Sequence, residues 1–126
     1  MGFPARGLVG DRAERQALHF LIRHGLKPVT RNFRNRGGEI DLIMLHGDCL
    51  TFVEVRYRKS TRFSAPALTV DRHKQRKIVR TAALFLAARP QYARLASRFD
   101  VVAITGGMDS TIEWLQDAFR PLDSTL

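Results

Sequence analysis

A two-residue turn at Gly47-Asp48 constrains the fold of this chain more than any other feature, because it joins two apolar segments and sets their pairing. A loop of this length places His46 opposite Cys49. Five residues further along each strand, it places Asp41 opposite Glu54. Side chains directly across an antiparallel ladder have Cβ atoms roughly 5 Å apart, and like charges there repel. The two carboxylates are therefore predicted to need a shared proton or a cation.

Length and composition predict one globular domain, residues 1–126, with short flexible tails at about 1–9 and 118–126. The chain is 44% hydrophobic and 26% charged, which is typical of a folded protein. No apolar segment approaches the ~18 residues that span a bilayer, so no membrane association is expected. The single cysteine, Cys49, allows no internal disulfide and suits a reducing cytoplasm; we expect it to be buried.

The charge of the chain points to a polyanionic partner. Lys and Arg total 21 against 12 Asp and Glu, a formal net charge of +9. Such a balance favours nucleic acid, and DNA is the partner that we expect first. A basic face that binds an acidic protein is the alternative.

Periodicity and turn residues predict an α/β domain with a mixed sheet flanked by helices. An antiparallel meander is followed by a helix that returns a strand to the same sheet. The predicted helices are 11–24, stopped by Gly25, and one capped by Asp71 and running to about 88. The predicted strands are 27–35, 40–45, 51–57, 98–105 and a short edge strand 111–115, with a mobile polar loop over 59–70.

Glu14 interrupts the apolar stripe of the first helix. A carboxylate on a core-facing stripe costs free energy unless it meets a partner or a metal. Two interpretations remain open: Glu14 binds a metal, or it pairs with a nearby arginine at the edge of the stripe.

Glu14, Asp41 and Glu54 offer hard oxygen ligands, which suit Mg²⁺ or Mn²⁺ rather than zinc. Such a cation can polarise a phosphodiester and stabilise the charge of in-line attack. The histidines have no ligand spacing and are expected to be solvated; they are His19, His24, His46 and His73.

Basic residues surround the predicted acidic positions. Lys74 extends the buried stripe of the second helix towards its start. The side chains predicted to contact phosphates lie on the middle strands, the following loop and the second helix: Arg34, Arg36, Arg58, Lys59, Arg62, Arg72, Arg76 and Lys77.

Other polar positions have structural interpretations. In the hairpin register Glu39 faces Arg56, which predicts a cross-strand ion pair. Asp100 is expected to end a strand in a hydrogen bond rather than to bind metal. Trp114 is expected to cover the core or, if exposed, to stack on a base.

Several of these segments together resemble the YraN-like family of bacterial proteins, within the PD-(D/E)XK nuclease superfamily that also holds archaeal Holliday-junction resolvases. The resemblance covers nearly the whole chain. It is carried by Gly10, Glu14, Ala17, Asn32, the segment 37–43 (GGEIDLI), the segment 52–58 (FVEVRYR), Lys74, Ala82 and the segment 98–102 (RFDVV).

The resemblance implies a restriction-endonuclease-like three-layer core and a homodimer. It also implies a role for each acidic residue: Glu14 is the helix-one acid, Asp41 the motif aspartate and Glu54 the second motif carboxylate. Arg56 stands where the superfamily has a lysine that orients the attacking water. Arginine stays charged and cannot act as a base. Either the metal alone activates water, or Lys74 reaches in from the second helix.

Three functions are compatible with these observations. The first is a divalent-metal-dependent DNA endonuclease that acts on branched DNA. The second is a nucleic-acid-binding protein without cleavage, and the third is an adaptor for an acidic protein partner.

Overall fold

The computed structural model describes residues 8–59, 68–106 and 110–121. Two helices and five strands make up this part of the chain, with one short 3₁₀ turn at Pro90–Tyr92. The helices are α1 (Leu8–Arg23) and α2 (Arg72–Ala88), and the strands are β1 (Lys27–Asn35), β2 (Gly38–His46), β3 (Cys49–Arg58), β4 (Ala96–Thr105) and β5 (Thr111–Phe119).

The five strands form one mixed sheet in the order β1-β2-β3-β4-β5. Strands β3 and β4 are parallel, and every other neighbouring pair is antiparallel. Helix α2 is the connection between the two parallel strands. The meander followed by a helical crossover is therefore confirmed.

The helices cover opposite faces of the sheet. Val53 packs in a cluster with Ala17 and Leu21 of α1, whereas Phe52 packs with Ile78 and Phe85 of α2. Because consecutive strand residues point to opposite faces, the two clusters are separate cores. The architecture is the predicted three-layer, restriction-endonuclease-like α/β fold.

Local signals account for most helix ends. The φ of Gly25 is +94°, and Leu26 N donates to Leu21 O at 3.0 Å, which closes α1 as predicted. At the start of α2, the Asp71 carboxylate accepts from Lys74 N at 2.8 Å.

Strands β2, β3 and β4 exceed their predicted bounds by one or two residues at an end, whereas α1 and β5 extend into the predicted tails, so that residues 8–9 and 118–119 belong to regular structure. Helix α1 begins three residues before Asp11. Strand β5 continues past Leu115 through an irregularity at Asp117, whose φ is +55°, and it still pairs Phe119 with Phe99. A positive φ is typical of turns, but here Asp117 lies in a bulge within β5.

The β2–β3 hairpin has the predicted register. Its ladder runs from His46 opposite Cys49 to Leu42 opposite Val53. Gly47 has a φ of +62°, which glycine adopts without strain at the first position of a two-residue loop. Cys49 is half-buried rather than buried, because it adjoins this exposed loop.

A buried polar network joins β4 to β5. The Asp100 carboxylate is bonded by Arg98 Nε at 2.8 Å, by Trp114 Nε1 at 2.9 Å and by Asp117 N at 3.0 Å. The prediction that Asp100 has a structural role agrees with these bonds, although the residue lies within β4 and not at its end. Arg98 also bonds His46 Nδ1 at 2.9 Å.

Trp114 covers the core on the α1 side, where it packs edge-on against Phe20. The rings of His24 and His46 also flank this indole, with centroids 5.7 and 5.8 Å away. His24 is exposed, as expected, although its ring contacts the indole; the expectation that His46 is solvated is wrong, because this side chain is half-buried and bonded to Arg98. Neither helix in the described part of the chain is long and apolar enough to cross a bilayer.

Candidate active site

Asp41 and Glu54 lie side by side where β2 and β3 stop pairing, and each is only 7% exposed. The Asp41 Oδ2 atom accepts from Val55 N at 2.8 Å, so its side chain continues the hydrogen bonding across the two strands. Both carboxylates line a cleft of about 930 Å³ between the β1–β2 turn and the first turns of α2. The predicted carboxylate pair therefore faces a cavity.

Lys74 reaches this pair from α2. Its Nζ lies 2.8 Å from Glu54 Oε2, although the two residues belong to different layers of the fold. The Asp71 cap starts α2 three residues earlier and so directs Lys74 towards the sheet. Of the two sequence interpretations for Arg56, the one in which Lys74 approaches the site agrees with this geometry.

Burial and a neighbouring negative charge disfavour the ionised form of Glu54. Burial is the largest cause that raises the pKa of Glu54 above its ordinary value of 4.5, and the charge of Asp41 is the second. Lys74 and, to a smaller extent, Arg56 oppose this rise in the pKa. The surroundings of Glu54 therefore disfavour its charged form despite the two nearby cations.

The raised pKa of Glu54 predicts a pH dependence of stability. Above its ordinary pKa the unfolded chain releases a proton that the folded chain still holds, so the free energy of unfolding falls as pH rises. Replacing Asp41 with Asn removes the neighbouring charge and keeps an oxygen for Val55 N. We expect Asp41→Asn to stabilise the protein by about 1 kcal/mol near pH 7 and to flatten this fall.

Urea unfolding between about pH 4.5 and pH 8 checks this. The control is Asp48→Asn in the exposed β2–β3 turn, which makes the same change of net charge. An Asp41→Asn protein that is no more stable than Asp48→Asn at pH 7 would contradict the repulsion.

Glu14 is completely buried on α1. Its Oε1 accepts from Arg31 Nη2 at 2.9 Å and from Asn32 Nδ2 at 3.2 Å, both on β1. These contacts agree with the alternative in which Glu14 pairs with an arginine. Asn32 has a φ of +50°, a conformation that asparagine tolerates and that directs its amide to Glu14.

The predicted pairing of Glu39 with Arg56 is wrong. The β2–β3 ladder ends at Leu42, before the register reaches these residues. Glu39 is instead opposite Arg34 on the other neighbouring strand, with Arg34 Nε 3.2 Å from its Oε1. Arg56 is half-buried on β3, two residues beyond Glu54.

The structure places three of the eight predicted phosphate-binding residues at the cleft. Arg34, Arg36 and Lys77 line it, together with Lys74. Arg76 lines a different cavity. Arg72 and Lys59 are exposed and Arg58 is half-buried, with none of the three in the cleft wall; Arg62 lies outside the described residues.

Two features of the cleft were not predicted from the sequence. His73 lines it, and its position four residues before Lys77 on α2 is the signal that was available. Gly38 also lines it, with a φ of +148°, and a Cβ there would lie 3.3 Å from Thr81 Oγ1. A glycine is therefore needed for the β1–β2 turn to approach α2.

The carboxylate pair fits a magnesium or manganese ion. Among the residues that the structure describes, no three His, Cys, Asp or Glu side chains gather as a metal centre. Mg²⁺ is nevertheless commonly held by one or two carboxylates together with water and substrate phosphates. Asp41 and Glu54 would be these ligands, and a cation would offset their repulsion.

Fold and site together define a three-layer α/β protein with a buried carboxylate pair and a lysine at one end of its sheet. A family model described as "Uncharacterised protein family UPF0102" matches residues 13–104, and the chain belongs to this family. The resemblance to the YraN-like proteins is thereby confirmed.

Its relatives are similar over almost their full length. The "UPF0102 protein" of Saccharophagus degradans is 50% identical over 110 residues, which are 87% of this chain and 91% of the relative. The "UPF0102 protein XCV0816" of Xanthomonas euvesicatoria is 46% identical over 119 residues, 94% of this chain and 97% of the relative. One from Pseudomonas putida is 45% identical over 113 residues, 88% of this chain and 92% of the relative.

Proposed function

We propose that this protein is a divalent-metal-dependent endonuclease of the PD-(D/E)XK superfamily that cleaves DNA, with branched DNA as its substrate. The observation that carries the proposal is the juxtaposition of two buried carboxylates with Lys74 in a cleft whose rim is basic. Buried like charges destabilise a fold, so their presence facing a cavity favours a functional role.

Six charged residues of the cleft have a chemical role in this proposal. Asp41 and Glu54 would hold the cation, which would supply Lewis-acid stabilisation of charge on the scissile phosphate. Lys74 Nζ, a mobile point charge beside Glu54, contacts a phosphate oxygen and orients the attacking water. Arg34, Arg36 and Lys77 hold the neighbouring phosphates.

The test is incubation of the purified protein with labelled linear, single-stranded and four-way-junction DNA in Mg²⁺, Mn²⁺ or EDTA. Cleavage that requires metal is expected. Asp41→Asn protein purified in parallel identifies cleavage by a contaminating nuclease. Binding without cleavage under every condition would contradict the endonuclease.

The second candidate is a nucleic-acid-binding protein without cleavage. Two observations favour it. Lys74 already neutralises Glu54, and the contacts that the structure gives for Glu14 are with β1 rather than with the carboxylate pair. Metal-independent binding that is unchanged in Asp41→Asn is its expected result.

DNA binding is expected to weaken steeply with salt in both cases. If four basic side chains of the cleft contact phosphates, log K falls with log[salt] at a slope of about −3.6, so that a fourfold rise in salt weakens binding about 150-fold. Lys77→Ala should reduce the slope by about one, whereas Lys27→Ala, at the other end of β1 from the cleft, should leave it unchanged.

Fluorescence anisotropy titrations at several salt concentrations measure these slopes. Equal slopes for the two lysine variants would show that the cleft is not part of the DNA interface. Absence of DNA binding in the wild type would favour the adaptor for an acidic protein.

The proposal includes a cytoplasmic location, which the single cysteine favours, and a homodimer, because a junction has two scissile strands.

A further inference from the structure

A second cavity, of about 530 Å³, lies between α2 and the neighbouring strands β3 and β4. This volume is within the range of roughly 300–1,000 Å³ that small-molecule sites occupy. Its wall is mainly apolar and includes Phe52 and Phe99 of the sheet with Ala83 and Leu86 of α2. An apolar space of this size, with two aromatic rings in its wall, suits an aromatic or aliphatic ligand.

Two arginines set the charge of this cavity. Arg76 and Arg80 both line it, are exposed, and are four residues apart on the same face of α2. None of the described residues that line the cavity is acidic. The cavity is therefore complementary to a ligand with an apolar body and a negative charge at its edge.

The cavity and the carboxylate cleft adjoin the same basic helix. Lys77, between the two arginines, lines the cleft. The Arg80 side chain also lies against the β1–β2 turn, since a Cβ placed on Gly37 would be 3.7 Å from its Cδ. A polyanion held at the cleft would thus extend along α2 to Arg76 and Arg80.

We propose that this cavity binds one unstacked nucleobase of the DNA whose backbone is held at the cleft, with Arg76 and Arg80 on the phosphates of that nucleotide. This inference rests on the proposed function. A base offers the flat apolar body that the cavity needs, and guanidinium planes stack on unpaired bases as well as contacting phosphates. The ligand class is therefore a single-stranded or flipped-out nucleotide.

The test is a substitution that fills the cavity with a larger side chain from an exposed position in its wall. Ala83 lines it and is exposed, so Ala83→Trp places an indole in it with little change to the buried core. The matched control is Ala87→Trp, at a residue that is also exposed on α2 but lies outside the cavity wall. Ala83→Leu fills less of the space and should give an intermediate effect even if the larger side chain perturbs folding.

The probe is a fluorescein-labelled single-stranded DNA of about 12 nucleotides, with an abasic strand of the same length for comparison. We expect Ala83→Trp to weaken binding of the normal strand about tenfold, and Ala87→Trp to leave it unchanged. The abasic strand should bind the wild type and Ala83→Trp equally. Equal affinity of both tryptophan variants for the normal strand would overturn the proposal.

Other results would assign the cavity differently. If anilinonaphthalene sulfonate binds the wild type but not Ala83→Trp, while DNA affinity is the same, the occupant is a small amphipathic anion and the nucleobase is excluded. Binding of DNA without cleavage contradicts the endonuclease and leaves this inference standing, because its readout is affinity. A wild type that binds no DNA overturns both.

Discussion

Replacing Asp41 with Asn is expected to slow metal-dependent DNA cleavage by about 100- to 1,000-fold, because the cation loses one of the two carboxylates that hold it. DNA binding should persist, since the substitution removes a negative charge from a cleft with a basic rim. The same variant is expected to be more stable than the wild type. Loss of activity together with a gain in stability is the signature of a functional residue that the fold does not require.

Single-turnover cleavage of junction DNA and anisotropy with the same DNA in EDTA measure these two effects separately. Asp48→Asn, with the same chemical change in an exposed turn, should cleave at the rate of the wild type. An Asp41→Asn protein that cleaves as fast as Asp48→Asn would show that the carboxylate pair takes no part in cleavage.

Asp100→Asn is expected to lower the free energy of unfolding by about 3 kcal/mol, and the midpoint temperature by about 10 °C. The carboxylate is fully buried and holds Arg98, Trp114 and the backbone of Asp117. An amide of the same size removes the charge that pairs with Arg98 and turns one acceptor into a donor. The substitution therefore leaves buried donors without acceptors.

Thermal and urea unfolding measure this loss. Asp117→Asn is the matched change at an exposed ion pair with Arg120 and should cost less than about 1 kcal/mol. Asparagine also tolerates the positive φ of this position. If the two variants lose similar free energy, the buried network does not hold β5 to the sheet.

Local chemistry made several parts of the fold predictable. The register of the β2–β3 hairpin follows from a two-residue loop, and the ends of α2 follow from Asp71 and Pro90. Each of these depends on backbone conformations within a few residues of the signal. The adjacency of Asp41 and Glu54 follows from the same turn, and so the centre of the candidate site could be predicted.

The partners of charged side chains were less predictable. Strand β2, which carries Glu39, has a neighbouring strand on each side, and the sequence does not state which one supplies the arginine that pairs with Glu39; the structure gives Arg34 on β1. The sequence left two interpretations of Glu14, a metal ligand or an ion pair with an arginine. The residues that contact it are 17 and 18 positions away along the chain. Such pairings depend on how α1 packs on the sheet.

The sequence by itself determined the register of the hairpin, the end of α1, both ends of α2, the adjacency of two carboxylates and the net positive charge, because all of these depend on neighbouring residues or on composition. Only the tertiary structure decided that Lys74 meets Glu54, that Glu14 meets Arg31, and that a second cavity lies beside α2. The physical reason is that these contacts join different layers, whose relative position follows from the packing of the two apolar cores.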